Sequence, residues 1–93
     1  MKLENWSIVN ANSQKFVAPE DIGAKSCYLE GYLYGALSTE DGCFIKTEQI
    51  SKIQDDKATT ILGGIYTLGK PCGEFADFVV FKECAYTIDE ADM

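Results

Sequence analysis

The sequence predicts an α+β fold: a small, curved antiparallel β-meander of four or five strands, an SH3-like barrel, with a C-terminal helix. Three observations predict it. Short stretches of alternating, β-branched and aromatic residues recur along the chain. Between them stand turn signals, Glu40-Asp41-Gly42, Asp55-Asp56-Lys57 and Gly63-Gly64, spaced so closely that consecutive strands pair as hairpins. A chain of 93 residues builds one modest core, and a meander this short hides its edges best by curling into a barrel. Residues 1–93 therefore read as a single domain.

The elements follow in order. Trp6-Ser7-Ile8-Val9 is the first strand, and a polar stretch from Asn10 to Lys15 leaves it. Val17-Ala18-Pro19-Glu20-Asp21 predicts a loop with one helical turn, with proline at the first helical position and acids at the positive end. Cys27 to Gly35 is a strand whose alternation sets Leu29, Gly31 and Leu33 on one face and Tyr28, Glu30, Tyr32 and Tyr34 on the other. Asp41-Gly42 then turns the chain into Cys43–Ile50, where Lys46 and Glu48 share a wet face. Asp55-Asp56-Lys57 turns it again into Ala58–Leu62, and Gly63-Gly64 makes a tight hairpin into Ile65–Leu68. Phe75, Phe78, Val79 and Lys82 fall at helical spacing, although Phe78-Val79-Val80-Phe81 has the composition of a strand. Gly31 and Gly35 sit in a strand pattern, where glycine marks a bulge or a close backbone approach.

Composition bounds the chemistry. There is no histidine and no arginine, and all eight basic residues are lysine. A Ser-His-Asp or Cys-His nucleophile therefore lacks its proton acceptor, and no guanidinium fork is present for phosphate or carboxylate. Fifteen acids give a net charge of −7, which repels nucleic acid and anionic membrane and attracts basic partners. No apolar run approaches the roughly 18 residues of a membrane span. The start, Met1 to Trp6, shows no apolar core of a signal peptide, so cytoplasmic residence is the expectation. Cys27, Cys43, Cys72 and Cys84 lack the short spacing of a zinc site, and they read as free, mostly buried thiols. Gly23-Ala24-Lys25-Ser26 faintly echoes a phosphate loop but lacks its upstream glycine. No cofactor or metal is expected.

The run Leu29-Glu30-Gly31-Tyr32-Leu33-Tyr34-Gly35, then Asp41-Gly42, Thr47 and Ile50, then Thr60, Gly63, Tyr66, Leu68, Gly69 and Pro71, resembles a family of small uncharacterised bacterial and phage-type proteins. That family's pattern is L-x-G-x-V-Y-G-H-P, D-G, T-S-x-I and T-x-x-G-x-x-Y-x-L-G-x-P. Trp6 and Ala18-Pro19-Glu20 also match, so the resemblance spans about residues 6–88. The family's histidine is Ala36 here, its following proline is Leu37, and its serine is Glu48. The resemblance implies a helix over Glu74 to Cys84; it implies no activity.

The functional candidate is an aromatic face. Tyr28, Tyr32 and Tyr34, with Tyr66 and Trp6, would anchor a partner, because tyrosine joins a large apolar area to a polar tip at little entropy cost. Glu40 and Asp41 would add acidic steering. The same face could instead form a second core layer beneath the C-terminal segment. The function expected is that of a non-enzymatic acidic binding protein engaging another macromolecule, with a protein, and a basic one, as the expected partner. An inhibitor or immunity-type protein of a bacterial or phage conflict system fits its size and charge. Two alternatives stay open. One is an oligomer sequestering a nucleotide-like small ligand between tyrosines, with Lys46, Lys52 or Lys57 near the phosphate; the other is an enzyme working through Glu30, Asp41 and Glu48 alone. The oligomeric state is open, a dimer included.

Overall fold

The computed structural model describes residues 1–79. Five strands, β1 (Lys2–Asn10), β2 (Cys27–Tyr34), β3 (Cys43–Gln54), β4 (Lys57–Thr60) and β5 (Ile65–Leu68), form a closed barrel in sequence order. A 3₁₀ helix (Pro19–Ala24) lies between β1 and β2, and residues 73–79 form a short helix, α1. The expected α+β architecture is thus present with five strands. Neighbouring strands pair antiparallel, and the barrel closes where β1 meets β5 in parallel at Lys2–Thr67 and Leu3–Leu68.

Each element has a local cause. The 3₁₀ helix starts at Pro19, whose missing N–H costs nothing there, and carries Glu20 and Asp21 in its first turn. Asn10 holds the first loop, its carboxamide oxygen accepting from the Asn12 and Ser13 N–H groups at 2.8 and 3.1 Å. Asp55, at φ 57°, forms the two-residue turn between Gln54 and Lys57. The Cys72 thiol accepts the Phe75 N–H at 3.4 Å and so serves as an unusual cap for α1.

Several expected bounds shift. β3 runs on to Gln54 instead of ending at Ile50. β1 begins at Lys2, not Trp6, because a bulge at Asn5–Trp6 breaks the alternation by which a strand is recognised. β4 ends at Thr60 instead of Leu62. Thr60 closes its own turn by donating N–H to the Gly64 carbonyl at 2.8 Å, while its hydroxyl accepts from Gly64 N–H at 3.0 Å. Ile61 and Leu62 are therefore turn residues. The helix expected over 74–84 is present through residue 79, and residues 80–84 lie outside the described residues.

Bulges give the sheet its curvature. Between Glu4–Tyr32 and Ser7–Glu30, the two residues Asn5 and Trp6 face the single Gly31, with Asn5 at φ 53°. A side chain at Gly31 would place its Cβ 3.0 Å from the Glu4 carbonyl oxygen and 3.1 Å from Trp6 Cα, so only glycine lets the strands approach. Thr47 and Glu48 together face Leu29, and the Thr47 hydroxyl repairs the broken ladder by accepting the Leu29 N–H at 3.0 Å. Ser51 is the third extra residue; its hydroxyl donates to the Thr59 carbonyl at 3.1 Å. Each bulge reverses which parity points inward. That is why Ile45, Ile50 and Ile53 all pack toward the core despite a spacing no regular strand permits.

The core comprises Leu3, Ile8, Leu29, Leu33, Ile50, Ala58, Tyr66 and Leu68 from the strands, Val17 and Ile22 near the 3₁₀ helix, and Phe75 from α1. Phe75 is the keystone of an aromatic cluster. Its ring lies 5.4 Å from Trp6, 5.5 Å edge-on from Phe16 and 6.1 Å from Phe78. After β5 the chain keeps running beside β1: Trp6 pairs with Pro71, the Cys72 N–H donates to the Trp6 carbonyl at 2.8 Å, and Trp6 Nε1 donates to the Gly69 carbonyl at 3.0 Å. The Glu4 carboxylate fills the space that a Gly69 side chain would need and accepts the Lys70 N–H at 2.7 Å.

Two outcomes follow. Gly31→Ala destabilises the fold by about 1–3 kcal/mol in urea unfolding, the cost of overpacking against backbone that cannot yield. The Lys70 N–H, helped by the nearby Lys2 charge, holds the Glu4 carboxyl below its ordinary value of 4.5, against a smaller opposing effect of burial. Because the folded value is lower, the stability Glu4 contributes is present above the unfolded value and disappears as pH falls through the folded one. Glu4→Gln is therefore expected to shrink the difference between unfolding midpoints measured at neutral and at acidic pH.

Candidate interaction face

The outer surface of the β2–β3 ladder is built by alternation. In β2, Leu29, Gly31 and Leu33 point inward, which leaves Tyr28, Glu30, Tyr32 and Tyr34 outside, as their spacing predicts. Register then sets Tyr32 opposite Phe44, Glu30 opposite Lys46 and Tyr28 opposite Gln49. Tyr32 and Phe44 meet edge to face with ring centroids 5.2 Å apart, a favourable aromatic geometry across two strands. They nevertheless remain wet: Tyr32 is 38%, Tyr34 40% and Phe44 53% exposed.

Polar groups bracket this aromatic centre. The Lys46 ammonium stands 5.7 Å from the Tyr28 ring centroid and 3.8 Å from the Glu30 carboxylate. The Tyr28 hydroxyl donates to Gln14 Oε1 at 2.9 Å and lies 3.4 Å from Glu30 Oε1. On the other flank, Lys2 and Glu4 of β1 pair with Tyr34 and Tyr32. Beyond Tyr34 the connection to β3 is pinned by Asp41, whose carboxylate accepts the Gly35 N–H at 2.9 Å. Both glycines of this loop, Gly35 and Gly42, occupy left-handed φ, which suits them to the turn. Glu40 is exposed on the same loop.

The five aromatic residues expected to act together separate into three places. Tyr28, Tyr32 and Tyr34 share the face. Tyr66 does not, being only 8% exposed inside the barrel; burial, followed by the negative charge of Glu48, pushes its phenol up. Trp6 is also absent from the face, since the bulge turns it toward Phe75 and Gly69. α1 rests there, on Trp6 and Phe16, so residues 73–79 do not use the tyrosine face as their bed. Phe44 is the member that pattern reading overlooked. Its parity matches that of Lys46, whose wet position was evident, and that parity was the available signal.

Two of the three carboxylates considered for acid–base work have separate partners: Glu30 pairs with Lys46, and Asp41 accepts the Gly35 N–H. Glu48 is exposed on the β3 bulge, where its backbone carbonyl accepts a hydrogen bond from the Thr47 hydroxyl at 2.8 Å. Among the described residues no three His, Cys, Asp or Glu side chains gather where a metal ion could be held. The edge-to-face Tyr32–Phe44 pair offers no parallel slot for a base. No helix among the described residues is long and apolar enough to cross a membrane. Comparison with protein-family models, curated proteins and solved structures returns no match.

The described cysteines are less buried than the mostly buried thiols expected. Cys27 is buried in the core, Cys72 is half-buried and Cys43 is exposed, all as free thiols; Cys84 lies outside the described residues. Burial pushes the Cys27 thiol up, which disfavours the reactive thiolate. Iodoacetamide labelling of the native protein, followed by peptide mass mapping, is expected to modify Cys43 readily and Cys27 only after unfolding.

Proposed function

We propose that this protein is a non-enzymatic binding module that engages a basic protein through the outer face of β2 and β3. One observation carries the reading. Tyr32, Tyr34 and Phe44 are exposed together on a rigid two-strand ladder, where anchoring side chains lose little further entropy on binding. Tyr28, Glu30 and Lys46 form a hydrogen-bonded and charged margin beside them. The charge of −7 raises the encounter rate with a basic protein, and Glu40 supplies acid next to the aromatic centre. An inhibitor or immunity-type role in a bacterial or phage conflict system agrees with these features.

The test compares immobilised wild type with Tyr32→Ala and Phe44→Ala. A basic protein held by wild type, and bound at least about tenfold more weakly by both variants, supports the reading, since an anchoring aromatic contributes about 2 kcal/mol or more. Its capture is also expected to weaken as salt rises. Binding that neither substitution alters, or that salt strengthens, counts against the β2–β3 face.

A further inference from the structure

β3 is longer than either strand beside it and serves two ladders in turn. Cys43 to Gln49 pair with β2, and Ile50 to Gln54 pair with β4. β4 reaches no further because Thr60 closes the turn that ends it. The Ile61 N–H makes the last contact, donating to the Gln49 carbonyl at 2.9 Å. Among the described residues no strand lies along the second edge of Cys43–Thr47, and no loop backbone hydrogen-bonds to it. Alternate residues of an antiparallel strand turn N–H and C=O away from the partner strand. This stretch therefore presents a short row of unpaired backbone donors and acceptors, with Cys43, Phe44 and Lys46 exposed along it. The row borders the aromatic face. Tyr32 covers Phe44 from the β2 side, and Lys46 is drawn back over β2 to Glu30 and Tyr28. The far flank of Phe44 is left open, and the exposed carboxylate residue Glu48 follows at the end of the row.

We infer that the partner of the β2–β3 face binds by strand addition: an extended segment of a basic protein, with arginine or lysine at alternate positions, pairs with the open edge of β3 and lays those side chains beside Phe44. Strand addition rests on the reading of this face as the site for a basic protein, and it specifies the form in which that protein arrives. Backbone groups spaced at the strand repeat are matched by another extended backbone, whose main-chain bonds give affinity while its alternate side chains give selectivity. Charge selects whose backbone it is. At a net charge of −7 a second copy is repelled and a basic segment is attracted. A cation set against the open flank of Phe44 gains from the ring face, and Glu48 offers it a carboxylate. The Thr47–Glu48 bulge ends the row, and bulges and lysines on an edge restrain indiscriminate pairing.

The experiment titrates the full chain with a short peptide alternating arginine with valine, and with the same peptide N-methylated throughout, which keeps the charge and removes the main-chain donors. Binding is read by NMR, and amide exchange is followed residue by residue. Amides within Cys43–Thr47 that exchange freely in the unbound protein are expected to slow at least about tenfold at saturation, and the N-methylated peptide to bind at least about tenfold more weakly. Equal binding of the two peptides, or binding that leaves those amides unprotected, overturns strand addition; the aromatic face still stands if Phe44→Ala weakens that binding. Absence of binding by the alternating peptide also overturns strand addition. Binding that Phe44→Ala and Tyr32→Ala both leave unchanged removes the face and, with it, strand addition at the face. Protection of the same amides that rises with protein concentration alone assigns the edge to a second copy and overturns the choice of a basic partner.

Discussion

The close approach of β2 to β1 at Gly31 is the constraint on which the rest of the barrel depends. Two residues of β1 face one glycine of β2, and no side chain fits between them. The bulge bends β1 and adds twist. With the strand bent, its free edge can receive β5 and then the segment through Pro71, and Trp6 is turned to meet α1. Closure, helix docking and the placement of Trp6 are consequences of one missing Cβ.

The segment 69–72 transmits this constraint to the helix. Gly69 leaves space for the Glu4 carboxylate, Lys70 donates its N–H to it, and Cys72 both pairs with Trp6 and caps α1. Several residues that carry the pattern resemblance thereby have structural tasks: Gly31 permits the close approach, Thr47 bridges a bulge, and Gly69 and Pro71 lie along β1. These tasks account for the residues by packing and hydrogen bonding alone.

The aromatic residues divide between the interior and the surface. Phe16, Phe78 and Trp6 pack around the buried Phe75 ring beneath the barrel. Tyr28, Tyr32, Tyr34 and Phe44 remain outside, on the paired strands β2 and β3. With α1 seated on Trp6 and Phe16, the outer tyrosines are left as surface, and their large apolar areas have no internal use that the described residues reveal. The pinning of Gly35 by Asp41 gives that acid a structural role, whereas Glu40 is exposed on the same loop.

Much of this was legible in the chain itself. The β2 alternation assigned Tyr28, Tyr32 and Tyr34 outward because a strand's side-chain period is two, and Asp41-Gly42 and Asp55-Asp56 marked turns through their tolerance of left-handed φ. Proline, with acids after it, marked the 3₁₀ helix. Only the tertiary structure decided the rest. Tyr66 and Tyr34 look alike in sequence, yet their burial depends on which strand closes the barrel, a contact between residues more than sixty positions apart. Bulges at Asn5–Trp6, Thr47–Glu48 and Ser51 reset inward parity, and such a reset arises from pairing with a neighbouring strand. A local pattern therefore specifies which residues alternate, while the fold specifies where alternation stops and which face meets water.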